Sequence, residues 1–344
     1  MIINKQKLKV ISIYGTAHAI VDFCCAAVLY SLIGKVEILE LLQLVILYNI
    51  LAFGLQSVFG LLADFLKRPE NFAITGCLFL ITGLFAAKNP LTAVILIGVG
   101  NALFHVGGGI ISLNMGNGRA KLPGLFVAPG AVGLFLGTMF SLIPNLNIIW
   151  LSFLPLMAIG LMLFVQPDEE TQKIYKNEAN IPIFSLITIL IFISICIRSF
   201  IGLGYEFSGK DDMTLVVMMV LAIALGKASG GFLADKFGMF NTAVLGLLIS
   251  IPLLRYGYHP CLAILGMFFF NLTMPVMTTA LANMMPRFKG FAFGLTTLAL
   301  LAGFMPVILN YKLSQSMLYF EIIFISVIVT AISLKLYEKL FHRP

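Results

Sequence analysis

Long, nearly unbroken apolar runs, such as Ile181 to Gly204 and Met213 to Leu233, recur along this chain with only short polar punctuation between them. Each is close to the roughly 20 residues that a helix needs to cross the hydrocarbon core of a bilayer. Lipid offers no partner to a backbone amide, so a spanning segment must satisfy its own hydrogen bonds as a helix or join a closed barrel. Barrel strands read as short segments of alternating polarity, which these runs are not. The 344 residues are 60% apolar and 11% charged, against roughly 25% charged in a soluble domain. That composition excludes a soluble globular enzyme, and the length leaves no room for a large domain outside the membrane.

Punctuation divides the runs into spans at about 10–34, 41–65, 70–87, 90–113, 122–143 and 147–166, then 183–205, 213–234, 240–257, 260–283, 290–310 and 317–338. The expected fold is an all-α membrane protein with twelve transmembrane helices in two six-helix bundles, residues 1–166 and 183–344, joined by a polar linker at 167–182. Lys5, Lys7 and Lys9 ahead of an apolar stretch imitate a signal peptide, but that stretch runs past Tyr30, contains His18 and Asp22, and lacks a small-residue cleavage site. It reads as a retained first helix. Of the 22 Lys and Arg, Lys35, Lys88, Lys210, Arg255 and Lys312 fall on one side, Arg198 and Lys227 fall inside spans, and the other fifteen fall on the side of the two termini. Positive charge collects on the cytoplasmic side, so both termini and the linker are expected there, in the inner membrane of a cell. The net charge of +7 is therefore topological, and no nucleic-acid partner is implied. Five cysteines lie inside apolar runs without CxxC spacing, reading as small core residues with no disulfide framework or metal site.

The two halves repeat at an offset of about 170 residues. Gly60-Leu-Leu-Ala-Asp64 matches Gly231-Phe-Leu-Ala-Asp235, and Asn101 pairs with Asn271 as Gly137 does with Gly303. Parallel six-helix repeats with a site near the midplane are a transporter architecture. The stretch from Gly231 through Asp235 and Lys236 to Gly238, with its partner from Gly60 through Asp64 to Lys67 and Arg68, resembles the GxxxD(R/K)xG loop of the major facilitator superfamily. Glycine lets helices approach closely, and a carboxylate at a helix end suits a neighbouring helix N-terminus. The resemblance implies a cytoplasmic gating latch made by these eight residues. In the first copy Phe65 follows Asp64, and Pro69 and Glu70 stand where the motif closes, so Asp235 is expected to be the stronger latch.

A closer likeness lies in the first, fourth and fifth spans. His18-Ala-Ile-Val-Asp22, Gly100-Asn-Ala-Leu-Phe104-His105 and the glycine-rich stretch from Gly124 to Gly137 look like the fosmidomycin-resistance branch of that superfamily. The branch usually continues Phe-His with Pro-Glu, where this chain has Val106-Gly107. The likeness implies drug or metabolite efflux by proton antiport.

Ionisable groups within a spanning helix are costly and usually face a cavity or a partner. His18 and Asp22 are one turn apart on one face, and a carboxylate beside an imidazole couples their protonation. With His105 they are the candidate carriers of a coupling proton; the alternative is a polar clamp that packs the first helix. Arg198 and Lys227 have no acid at neighbouring helical spacing. An anionic group on the substrate, or a pair with Asp22 across the bundle, is the expected partner of Arg198; Lys227 has the alternative of reaching towards the cytoplasm or Asp235. Asn101, Asn271 and Thr273 complete the candidate substrate-binding set. Pro129, Gly130, Gly133 and Gly137 are expected to make a close contact between bundles in the fifth helix, and Gly107-Gly108-Gly109 to unwind the fourth.

No cofactor is implied. The glycine run lacks the Lys and Ser/Thr of a phosphate loop, and two histidines with one carboxylate fall short of the usual zinc set. The expected protein is a monomeric secondary transporter, not an enzyme, whose partners are a small-molecule substrate, the proton and the bilayer. Uptake by symport or uniport, and a non-transporting receptor or structural role, are the alternatives.

Overall fold

The computed structural model describes residues 4–144, 147–165, 167, 181–309 and 318–341. Among them are twelve helices and no strand. In the first half these are α1 (Lys5–Tyr30), α2 (Ile38–Leu66), α3 (Pro69–Phe85), α4 (Pro90–Gly116), α5 (Lys121–Ser141) and α6 (Ile148–Leu163). The second half has α7 (Ile181–Gly204), α8 (Met213–Phe237), α9 (Met239–Arg255), α10 (Pro260–Met284), α11 (Lys289–Ile308) and α12 (Leu318–Phe341). Twelve membrane helices in two six-helix bundles are thus present, each near its expected span. Most of the linker, with Lys173 and Lys176, lies outside the described residues, as do Lys312 and Arg343.

Local chemistry explains the helix ends. Pro69, Pro90 and Pro260 occupy first-turn positions, where a missing N–H costs nothing. Asp212 caps α8 by accepting from the amides of Thr214 and Leu215. Two spans are irregular: α2 contains a π turn at Ile50–Gly54, and α10 breaks at Leu272.

Glycines set how the helices meet. Within the first half, a Cβ at Gly133 would overlap the Ala19 carbonyl oxygen and lie 2.7 Å from its carbon, and one at Gly137 would lie 2.9 Å from Ala26 Cβ, so α5 rides against α1. In the second half a Cβ at Gly303 would lie 2.8 Å from the Cys196 carbonyl carbon, the equivalent α11–α7 contact. The stripe of Gly130, Gly133 and Gly137 therefore packs inside one bundle rather than between bundles. The inter-bundle contacts come one or two turns earlier: Gly124 of α5 abuts the Lys227 carbonyl of α8, while Gly60 of α2 abuts Gly290 of α11. Small residues at these positions let backbones touch.

Two further expectations are corrected. The fourth span does not unwind at Gly107-Gly108-Gly109, because α4 runs unbroken to Gly116 and these glycines admit Ala73, Phe126 and Phe293 from three neighbouring helices. Of the cysteines, Cys24, Cys25 and Cys77 are core residues, but Cys196 is half-buried and Cys261 is exposed.

The repeat also exposes a local strain. Lys67 ends α2 in the left-handed region with φ of 54°, at the position equivalent to Gly238, which ends α8 with φ of 90°. A side chain there costs energy that glycine avoids. Lys67→Gly is expected to stabilise the protein by about 1 kcal/mol, seen as a higher melting temperature in detergent. An unchanged or lower value would show that Lys67 makes a compensating contact.

Candidate functional site

Between the bundles, α1 and α7 form no extended contact among the described residues, nor do α4 and α10, whereas α2 packs on α11 and α5 on α8. The central gap is closed at the face that carries the termini. There Asp64 Oδ1 and Oδ2 accept from the amides of Gly290 and Phe291, both at 2.8 Å, and Asp235 Oδ1 accepts from the Ala120 amide at 2.8 Å. Each carboxylate thus sits at the N-terminus of a helix in the opposite bundle, where free amides and the helix dipole favour negative charge. Asp64 makes these contacts despite the departure of the first motif copy, because the donors are main chain. The basic and glycine positions of the motif, Lys67, Arg68, Lys236 and Gly238, lie beyond these carboxylates at the ends of α2 and α8; Lys236 lies over the Phe237 ring.

Deeper in the first bundle, α1 and α4 bring three titratable groups together. His18 Nε2 is 3.2 Å from Asp22 Oδ2, His105 Nε2 is 3.6 Å from Asp22 Oδ1, and the two Nε2 atoms are 2.9 Å apart. His18 Nδ1 lies 2.8 Å from the Phe126 carbonyl, and His105 Nδ1 lies 2.9 Å from the Asn101 carbonyl. A carbonyl only accepts, so both Nδ1 atoms carry hydrogen. The two Nε2 atoms therefore face each other and the Asp22 carboxylate.

The surroundings fix this group. His18 is buried against Phe126, with ring centroids 4.8 Å apart, and against Phe104 at 6.3 Å. Gly130 of α5 forms the floor: a Cβ there would overlap His18 Nε2 and lie 2.6 Å from Asp22 Oδ2. Neither Phe126 nor the floor role of Gly130 is legible in the sequence, since both depend on how α5 is rotated against α1. Pro129, one residue earlier, faces Gly15 of α1.

Of the expected substrate ligands, Arg198 of α7 is 7% exposed, and its Nε has no hydrogen-bond partner among the described residues. Lys227 of α8 is close enough to Asp22, His105 and Arg198 to interact with all three electrostatically. Asp235 instead draws on Ala120, Lys121 and Arg119, so Lys227 belongs to the central gap. Asn101 joins the titratable cluster: its amide donates to Asp22 Oδ1 at 3.2 Å. Asn271 donates to the Met267 carbonyl and Thr273 to the Phe270 carbonyl, both back onto α10 beside its break, and Thr273 is fully buried. The structure does not bring these two into the charged group. A separate cavity of about 410 Å³ between α3, α4 and α6, lined by Glu70, Asn71 and Asn114, shares no residue with the site.

No protein-family profile matches the sequence, and neither does any curated protein. The structure is similar to the fucose:proton symporter FucP of E. coli, with a TM-score of 0.66 at 10% identity over 97% of this chain and 99% of that one. It is similar to the human organic anion transporter MFSD10, with a TM-score of 0.68 at 12% identity over 97% and 100% of the two chains. A bacterial homologue of the iron transporter ferroportin, in its outward-facing state, gives 0.65 at 12% identity over 99% and 100%. At these identities the likeness is one of fold, the twelve-helix major facilitator architecture.

Proposed function

We propose that the protein is a secondary active transporter that exports a small organic anion, a drug or metabolite, in exchange for protons by alternating access. The observation that carries the reading is that ionisable side chains of the two bundles are in electrostatic reach of one another through Lys227, which interacts with Asp22 and His105 of the first half and with Arg198 of its own. Asp22, His18 and His105 come from the first half, and Arg198 and Lys227 from the second. Charge in a membrane interior needs a partner, and a buried guanidinium with an unpartnered Nε suits a carboxylate or phosphonate, which it can grip with parallel hydrogen bonds. Asp22 and the two imidazoles supply exchangeable proton positions in the other bundle. Fold neighbours include a proton symporter and an organic anion transporter, which supports the class. The fucose:proton symporter also favours a second reading, uptake by symport through the same groups.

In this reading the terminal face is cytoplasmic, following the bias of Lys and Arg, and the latches of Asp64 and Asp235 hold it shut. The structure then represents the outward-facing half of the cycle of a monomeric protein in the inner membrane. The test is flux of radiolabelled organic anions in proteoliposomes under an imposed pH gradient. Asp22→Asn is expected to remove gradient-driven flux while sparing exchange at equal pH. Arg198→Ala is expected to weaken anion binding about 100-fold, through loss of a buried bidentate contact. Full gradient-driven flux in Asp22→Asn would sink the proton role, and equal anion affinity in Arg198→Ala would sink the substrate assignment.

A further inference from the structure

We infer that His18, Asp22 and His105 form a binding site for a divalent first-row transition-metal ion. Their ligand atoms lie within 4.8 Å of one another, and the separations from nitrogen to nitrogen and from nitrogen to carboxylate oxygen are 2.9, 3.2 and 3.6 Å. Ligands about 2.0–2.1 Å from a tetrahedral ion stand about 3.3 Å apart; Asp22 Oδ2 is near that spacing from His18 and Oδ1 from His105, so a turn of the carboxylate brings one oxygen towards both nitrogens. Both imidazoles present their Nε2 lone pairs inward, because both Nδ1–H groups are committed to the carbonyls of Phe126 and Asn101. That is the outer support metal-binding histidines need, since it fixes tautomer and ring orientation. The Asn101 side chain steadies the carboxylate in the same way.

The donor set of two imidazoles and one carboxylate suits Zn²⁺, Co²⁺, Ni²⁺ or Fe²⁺ over the hard ions Mg²⁺ and Ca²⁺. Three protein ligands leave the fourth position for water or an anion, as in sites that exchange ligands. The missing Cβ of Gly130 is what lets the His18 nitrogen and the Asp22 oxygen come together against α5. The facing charges set the strength: Asp22 supplies one negative charge, and Lys227, in electrostatic reach of Asp22 and His105, opposes an incoming cation. An anion in the open position would offset that opposition. The inference rests on ligand geometry and needs no transport, although the ion would use the atoms assigned above to the proton.

Purified full-length protein, stripped with chelator and held at one pH in detergent, is titrated with Co²⁺ while its ligand-field absorption is recorded. The expected result is one saturable tetrahedral site per chain, bleached by Zn²⁺. Asp22→Asn and His105→Asn should each weaken it by at least about 100-fold, and Asn101→Leu by about tenfold. Lys227→Gln, which leaves every ligand in place, should tighten Co²⁺ binding severalfold while weakening organic anions. His259→Asn, in the turn just ahead of α10 and outside the cluster, should change nothing. Absence of a saturable site in the wild type, its survival in the ligand variants, or its equal loss in His259→Asn would overturn the assignment. Since binding is read without a gradient, Co²⁺ uptake by a protein with no gradient-driven flux keeps the site and discards proton exchange, while the converse discards only the site.

Discussion

Gly130→Ala is expected to lower gradient-driven transport by at least about 100-fold, although it adds a single methyl group to a residue that carries no charge. The new Cβ would occupy space now filled by His18 Nε2 and would lie 2.6 Å from Asp22 Oδ2. Helices α1 and α5 cannot part to relieve this, because Gly133 and Gly137 hold their backbones together in the next two turns. The imidazole and carboxylate must therefore move, and a displacement of about 1 Å at a working centre costs about two orders of magnitude. Gly15→Ala is the control in the same interface, since its Cβ would meet Leu125 and Pro129 at an ordinary 3.4 Å. Flux is measured in proteoliposomes with both variants reconstituted to equal density. Wild-type flux in Gly130→Ala would mean that the cluster of His18, Asp22 and His105 is not the coupling centre.

The second large effect is conformational. Asp64 accepts two main-chain amides at 2.8 Å and Asp235 accepts that of Ala120 at 2.8 Å, all across the gap between bundles. Hydrogen bonds to a charged group contribute about 1.5–3 kcal/mol each. Replacing both acids with Ala removes all three and should thus cost about 4.5–9 kcal/mol on the closed side alone, enough to shift the balance of the two conformations by about 10³–10⁶-fold. Spin labels at Ser31 and Ser208, on the far ends of the two bundles, should move closer together in the double variant. Each single variant should show less, since the remaining latch keeps the bundles joined. A distance distribution unchanged in the double variant would show that glycine packing alone closes this face.

The twelve spans were legible because an apolar run and its punctuation are properties of a single segment. His18 and Asp22 were legible as a pair for the same reason, four residues apart on one helix. What depended on the mutual rotation of helices was not. Asn101 looks the same in sequence whether it meets a substrate or Asp22, and its donation to Asp22 becomes visible only once α4 is set against α1. Gly107, Gly108 and Gly109 carry low helix propensity, yet close packing by Ala73, Phe126 and Phe293 holds them helical. Asp64 was identifiable by motif, but its partners are amides of Gly290 and Phe291, which no side-chain pattern announces.

The reciprocal latches also bear on ancestry. Asp64 meets Gly290 as Asp235 meets Ala120, which is the relation of two copies across a twofold axis. In a homodimer every change would appear on both sides. Here the scaffold positions still match, but a shift of about 170 residues takes Asp22 to Phe192 and His105 to Pro275. In a single chain the two halves are free to differ, and here the first holds the acid and imidazoles and the second the guanidinium.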